Sequence, residues 1–488
     1  MGPPPSDTSG ARRRKSAFPL VALGILLALP WTGCGDSSRH GGDGQGAPFA
    51  PVTFASGDRY FSVNGRQQPI SLRNVTGTRI EEFDTLLDEA GRAGTRLVRL
   101  HLTLGHGFGA TTSGAVDESW AAFWDHVLSR ARENGISVIP VFGVWFDWND
   151  GTPDVGYHNW ENNPFNVQLG GPVQSPAELV KQGSEAQSRW LEWLRTLVQR
   201  WRSRDNIAAW EVFSELDLIS GVSAAAGSEL AAAASAIVRA EDRAGRPVLA
   251  SVSSLAEWPA LLASDAIDMI EIHPYGGNLD TLTTSYVAKM RARYGKPVLI
   301  GESGLSAAPP DSGTLTTAPG APIGIQHALW AGLVSGSISL RALWWEDGYA
   351  IYYPSLGLPF VQQYKDAERG VVQFVADLPV SFATLAPLGA SMSSGLTGGA
   401  LGDATAVVGW VRDVACAPPD FTCTTKAAGE RVTVAVPGAA GEWRVELIDT
   451  STGGRVVASS TALVVDEGLT IELPSFVGDI AFRALPRG

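Results

Sequence analysis

Cysteine is almost absent. Cys34, Cys416 and Cys423 are the only three in 488 residues, and none of their separations gives a zinc-ligand spacing. Histidine is scarce too, with seven residues. Only His101 and His273 fall at the ends of strand-like runs, so the convergent histidine set of a metal-dependent hydrolase is missing. Basic charge is in deficit: 37 Lys and Arg stand against 50 Asp and Glu, a formal net charge of -13. That balance argues against a nucleic-acid partner and suits a neutral polymer. The apolar run FPLVALGILLALPW, Phe18 to Trp31, is too short to span a bilayer comfortably. The chain also lacks repeats of fixed length, which argues against a solenoid. What is present is a globular composition, 44% hydrophobic and 18% charged, in a chain long enough for one large domain and a small one.

The run from Phe18 to Trp31 follows Arg12, Arg13, Arg14 and Lys15, the flanks of a signal sequence rather than of a membrane helix. Residues 1–33 therefore read as a removable leader and the chain as exported. The leader carries four basic residues against Asp7, so the mature chain would sit near -16. The TGC that ends at Cys34 resembles the lipobox of bacterial lipoproteins, with Trp31 where that pattern prefers Leu. The resemblance implies a lipid on Cys34 and a cell-surface protein; ordinary cleavage and secretion is the alternative. Residues 34–51, rich in Gly, Ser and Asp, read as a flexible tether. With Cys34 lipidated, Cys416 and Cys423 are left as an even pair, expected to form a small surface disulfide in an oxidising compartment.

Over residues 52–378 apolar strands alternate with amphipathic helices, the pattern of a (β/α)8 barrel of the TIM type in the α/β class. Eight strands are expected, at Ile70–Val75, Arg96–Leu102, Ile136–Phe142, Ile207–Phe213, Pro247–Val252, Ile267–His273, Pro297–Glu302 and Leu340–Trp345. A helix over Glu185–Arg202 places Trp190, Leu194, Leu197 and Trp201 at helical spacing, so its tryptophans should pack on the barrel. The longest insertion, Gly143 to Gly183, follows the third strand and holds Trp145, Trp148, Tyr157 and Trp160. Loops at that end of a barrel form its active face. These rings either stack on substrate or only tie the loop down. Residues 379–488 change to short β-type runs separated by Gly, Pro and Asp, the mark of a C-terminal antiparallel β-sandwich. Trp410 and Trp443 are expected in its core, and the sandwich is expected to cap the barrel.

Two strands carry the chemistry. WEVFSELD, Trp210 to Asp217, runs into Glu215, and KPVLIGESG, Lys296 to Gly304, runs into Glu302. A carboxylate at the end of a buried strand is costly to keep without a reason, because desolvating an unpaired charge costs several kcal/mol. Two such strands would deliver the carboxyl pair that glycoside hydrolysis uses. In a regular strand Glu211, Phe213 and Glu215 share one face, which makes Glu211 a buried structural acid below Glu215. By the same alternation Glu271 lies beneath His273, and Arg99 on the second strand could neutralise one of these acids.

At these residues the chain resembles the clan A glycoside hydrolases, family 5 above all, which includes cellulases and β-mannanases. The match covers the barrel: a WEL-type run closed by a glutamate (Trp210 to Glu215), His-x-Tyr (His273, Tyr275), a glutamate followed by x-Gly (Glu302, Gly304) and an eighth-strand tryptophan (Trp344 or Trp345). The resemblance implies that Glu215 is the general acid/base and Glu302 the nucleophile of a retaining β-glycosidase. It further implies that Arg99 supports the nucleophile, Tyr275 hydrogen-bonds it, His273 shapes the site and the tryptophan floors the sugar pocket. Neither a metal nor an organic cofactor is implied. Ser214 departs from the family, which has Asn there to donate to the sugar 2-hydroxyl. The histidine that many members carry after the third strand has no clear match, and Trp145 occupies its neighbourhood. The substrate class is a β-glycan, with β-mannan ahead of β-glucan, because the long insertion through NPFN and GGPVQSP is organised like that of some β-mannanases. A binding protein on a disabled hydrolase scaffold, with Ser214 as its first symptom, is the competing reading.

Overall fold

A computed structural model describes residues 49–150, 160–253, 256–308, 314–346, 360–452 and 454–487. The leader, Cys34 and most of the tether lie outside them, as does Tyr157. Among the described residues no helix is long and apolar enough to cross a membrane.

The barrel strands are β1 (Ile70–Asn74), β2 (Leu97–His101), β3 (Ser137–Val144), β4 (Trp210–Ser214), β5 (Val248–Ala250), β6 (Ile270–Ile272), β7 (Val298–Ile300) and β8 (Ser339–Arg341). Every residue in them is buried, as expected of parallel strands covered on both faces. A six-stranded parallel sheet runs β8-β1-β2-β3-β4-β5, and β6 pairs with β7. Bridges Ser251–Glu271 and Ser303–Leu343 join the two sheets into a ring. The helices are α1 (Ile80–Arg92), α2 (Glu118–Glu133), α3 (Glu185–Trp201), α4 (Ala224–Glu241), the single turn α5 (Pro259–Leu262), α6 (Leu279–Tyr294), α7 (Ala321–Ser335) and α8 (Val361–Ala376).

Local signals explain where helices begin. Asp117 accepts from the backbone N–H groups of Ser119 and Trp120 at the start of α2, and Ser184 does the same for Gln187 in α3, which satisfies donors that a helix leaves orphaned. In α3 Trp190, Trp193, Leu194, Leu197 and Trp201 are fully buried on one stripe against the barrel. The N-terminal end of the barrel is covered by a small antiparallel sheet of Val52–Thr53, Ser62–Val63 and Arg66–Gln67.

The C-terminal part is one nine-stranded antiparallel sheet rolled into a sandwich. Its strands are β9 (Ala386–Leu388), β10 (Ala390–Met392), β11 (Leu396–Asp403), β12 (Ala406–Asp413), β13 (Arg431–Ala435), β14 (Gly441–Ile448), β15 (Val456–Val465), β16 (Gly468–Glu472) and β17 (Asp479–Pro486). The order is β9-β11-β12-β17-β14-β15-β16-β13-β10. Only Gly389 separates β9 from β10 in the chain, yet they sit at the two ends of the order, so the sheet nearly closes on itself. Trp410 and Trp443 are buried within it.

Helix α7 joins the two parts. It is apolar on nearly every side, and Trp330 and Leu333 share one core with Val408, Trp410 and Ala481 of the sandwich. A helix hydrophobic all round must be covered all round, and here the barrel takes one side and the sandwich the other. Arg412 of β12 reaches Asp280 of α6 at 2.6 Å with both side chains under 10% exposed. Cys416 and Cys423 form a disulfide, but Cys416 is fully buried beside His327. The expected surface bridge is therefore half interior, because the loop it closes packs Phe421 against α7 at Gly320 and Gly324.

Candidate active site

Alternation along β2 turns Leu97, Arg99 and His101 toward the barrel axis, and along β6 it does the same for Glu271 and, just past the strand, His273. Arg99 is fully buried and holds several partners at once. Its Nε and Nη2 donate to both oxygens of Glu211 at 2.6 Å, and Nη1 donates to Glu302 Oε1 at 2.8 Å. Nη2 also donates to Ser214 Oγ at 2.8 Å and Nη1 to Asn74 Oδ1 at 3.2 Å. Glu271 Oε1 lies 3.0 Å from Nε without hydrogen-bond geometry. One guanidinium thus faces three carboxyls, where the sequence suggested it would neutralise one.

The regular alternation expected on the fourth strand does not hold. Pairing with β5 slips between Glu211 and Phe213, a bulge that sends Phe213 outward onto Trp190 of α3 at 5.8 Å between ring centres. Gly143 makes room for that ring, since a Cβ there would lie 2.3 Å from it. The slip turns Ser214 inward to Arg99. Glu215 follows with φ 56° and ψ 54°, left-handed backbone for a non-glycine residue, which costs of order 1 kcal/mol. Ser251 at the end of β5 steadies it by accepting from the Glu215 N–H at 3.0 Å.

Glu302 stands two residues past β7. Tyr275 donates its hydroxyl to Glu302 Oε2 at 2.8 Å, and His101 Nε2 is 3.5 Å from Oε1. His273 Nδ1 lies 2.8 Å from Glu215 Oε1 and 3.7 Å from Glu302 Oε2, and its Nε2 is 3.5 Å from Glu271. One oxygen of Glu215, one of Glu302 and a ring nitrogen of His273 lie within 4.8 Å of one another. This spacing would also suit a single metal ion; both Glu302 oxygens accept hydrogen bonds, from Arg99 and Tyr275. Glu215 and Glu302 remain 9% and 7% exposed, enough to meet a ligand.

The two carboxyls are driven apart in acidity. Burial raises Glu215, and the nearby Glu302 charge adds to this, so its pKa is raised overall despite the His273 hydrogen bond. Burial also works against the Glu302 anion, but His273, the His101 hydrogen bond and Arg99 outweigh it and hold Glu302 well below the usual carboxylate range. For His273, burial opposes the charge while Glu302, Glu215 and Glu271 favour it, and its pKa is held well above the ordinary value. Burial and Arg99 lower His101. Two acids side by side with opposite shifts are what acid and nucleophile roles require.

Of the two tryptophans, Trp344 faces the site: its ring meets His101 edge-on at 5.1 Å between centres. Trp345 turns its indole N–H toward the Ala307 carbonyl. In the insertion Trp148 and Trp160 are buried with Phe108 and Phe165, so these rings tie the loop down. Trp145 is half-buried and stacks on Phe146 at 3.9 Å. Asn74 and Ser251 were not singled out from the sequence. Each is a polar residue at or just past the end of an apolar strand, the same signal that marks Glu215. Asn74 donates to the Gly301 carbonyl and accepts from Arg99.

Comparison with solved structures places the fold. A glycoside hydrolase family 5 structure from Bacteroides vulgatus ATCC 8482 superposes with TM-score 0.57 and 10% identity, covering 89% of this chain and 93% of that one. The shared fold is a (β/α)8 barrel followed by an antiparallel β-sandwich. A second structure, described as a glycoside hydrolase, gives TM-score 0.56 at 10% identity over 89% of this chain and 97% of its own. Both cover barrel and sandwich together. No protein-family model and no curated protein matches the sequence.

Proposed function

We propose that the chain is a retaining β-glycoside hydrolase, with Glu302 as nucleophile and Glu215 as acid/base. The observation that carries this reading is the approach of one oxygen of each carboxyl to within 4.8 Å in environments that shift the two groups in opposite directions. Retaining sites hold their carboxyls about 5 to 5.5 Å apart, and inverting sites need about 6.5 Å or more to admit water. Glu302, ionised beside Arg99 and Tyr275, attacks the anomeric carbon while Glu215 protonates the leaving oxygen. Once the glycosyl ester forms, the Glu302 charge is gone. The pKa of Glu215 then drops, and it takes a proton from the incoming water.

The substrate is a β-linked glycan, β-mannan first and β-glucan second, a preference that rests on the sequence organisation of the insertion. Ser214 is turned to Arg99, so a 2-hydroxyl contact would come from its remaining hydroxyl proton or through water. The same proposal takes the protein as exported, either anchored by a lipid on Cys34 or secreted after ordinary cleavage of the leader.

Hydrolysis of a β-glycan panel tests it. Glu215→Ala should lower turnover about 10²- to 10⁴-fold, and Glu302→Ala at least as much. Azide should restore turnover in the Glu302 variant, giving a glycosyl azide. A wild-type protein that binds glycans but turns none over would overturn the enzyme reading in favour of the binder.

A further inference from the structure

Tyr275, which donates to Glu302, stands on a loop that the sandwich helps to hold. The loop follows β6 and leads into α6. On its inner side it is zipped to the loop after β7: Tyr275 bridges Gly304 in parallel register, the Gly276 N–H donates to the Gly304 carbonyl at 3.0 Å, and the Gly304 N–H donates to the Pro274 carbonyl at 3.3 Å. On its outer side Gly277 is closed in. A Cβ there would lie 2.6 Å from Leu315 and 3.4 Å from Pro418, and Pro418 belongs to the sandwich, in the loop that the Cys416–Cys423 disulfide closes.

The disulfide loop is itself braced. Asp413, at the end of β12, accepts from the Ala415 N–H at 3.0 Å and from the Thr424 hydroxyl at 2.6 Å, and pairs with Lys426 at 2.9 Å, which ties the two ends of the loop together. An independent contact fixes the start of α6. Arg412 donates from Nε to Asp280, in the first turn of that helix, at 2.6 Å and from Nη1 to the Cys416 carbonyl at 3.4 Å. One buried guanidinium thus spans α6 and the disulfide loop, and a buried pair of this kind resists rearrangement because separating it strands a charge. Phe421 serves to cover α7; Pro418 and Arg412 reach beyond that core to the segment that carries Tyr275.

We propose that the disulfide loop of the sandwich is a positioning element of the active site, which through Pro418 on Gly277 and Arg412 on Asp280 holds the Tyr275 loop, and with it the Tyr275 hydroxyl, on Glu302. The inference rests on the reading of Glu302 as nucleophile. A displacement of about 1 Å far from the chemistry can cost on the order of 10²-fold in rate, so a brace from outside the barrel matters to turnover. The charged groups that face Glu302 and Tyr275, namely Arg99, His101, Glu215, His273 and Glu346, all belong to the barrel. None is altered by a substitution in the sandwich loop.

Two variants test this. Cys416→Ala/Cys423→Ala opens the loop, and Pro418→Ala trims only its contact with Gly277. In each, kcat on β-glycans should fall at least about threefold with KM changed less than about twofold. The acid limb of kcat/KM should move up by about half a pH unit, because a carboxylate that loses a donor takes a proton more readily. In a Tyr275→Phe background both substitutions should have almost no further effect, a non-additivity that general loosening of the fold would not produce. The titration of Glu302 can also be followed directly by carboxyl 13C NMR, with its resonance assigned by loss in Glu302→Gln, and should show the same upward shift whether or not glycans are turned over. A wild-type protein that hydrolyses no glycan while the variants still shift Glu302 would remove the hydrolase reading and leave the coupling standing. An unchanged Glu302 titration in both variants, or losses that add fully to that of Tyr275→Phe, would overturn the coupling. Should the cysteine variant fail to fold, Pro418→Ala decides alone.

Discussion

Arg99 decides most of what the site can do. A single planar cation serves Glu211 with two parallel bonds and Glu302 and Ser214 with one each, a geometry that a lysine ammonium cannot copy. Arg99→Lys is therefore expected to lower kcat at least about 10²-fold, and leaving buried acids short of a partner should cost about 3–5 kcal/mol of stability. Steady-state kinetics and thermal unfolding read the two effects separately. Gly301 is as constrained, because a Cβ there would lie 1.7 Å from Glu271 Oε1. The opposite shifts of the two glutamates also set the pH profile. In the proposed mechanism Glu302 acts ionised and Glu215 protonated, so kcat/KM should be bell-shaped, with its acid limb below 4.5 and its alkaline limb above it. By linkage, the stability that the depressed Glu302 contributes is present above its unfolded pKa and is lost as pH falls through the folded one. At this scale both glutamates, Arg99 and His273 could be picked out of the sequence as polar residues in or just past apolar strands, whereas Tyr275 was indicated only by the His-x-Tyr resemblance. The inward turn of Ser214 could not, since it depends on a bulge that only pairing with β5 creates.

Among the elements, the insertion after β3 carries the clearest titration signal. Asp147 is fully buried, and burial raises its pKa to about 7 despite a 2.5 Å bond from Thr103. The folded protein therefore keeps that proton where the unfolded chain has lost it. The associated stability is complete below the unfolded pKa of about 4 and is lost as pH rises through about 7. Asp147→Asn should match wild type in melting temperature near pH 4 and exceed it increasingly toward pH 8. A constant difference across that range would refute the assignment. All eight barrel strands could be read from their apolar runs. The sandwich was less legible: its short β-type runs mark β12, β13, β14, β16 and β17, while β9, β10, β11 and β15 do not stand out in the sequence. Glycines interrupt LTGGALGD, and β15 reads VVASSTALVV with little contrast between its faces, so neither shows the alternation that marks a half-buried strand.

For the whole molecule, barrel and sandwich share a core through α7. A chain ending at Leu378 would uncover Trp330, Leu333 and their neighbours, and is expected to aggregate or lose cooperative unfolding, as measured by calorimetry. Within the full chain, Arg412→Ala should cost about 3–5 kcal/mol because it strands Asp280 in the interface. Independent melting of the two parts, with the barrel unaffected by truncation, would contradict both expectations.

The barrel and its candidate acids at strand ends could be read from the sequence, because apolar periodicity and an isolated charge in an apolar run are local properties. The meeting of Glu215 with Glu302 depends on closure of the ring. So do the sharing of Arg99 among three acids and the inward turn of Ser214. Each is a contact between segments far apart in the chain, whose geometry is set by strand register and packing, and no local pattern of residues encodes it.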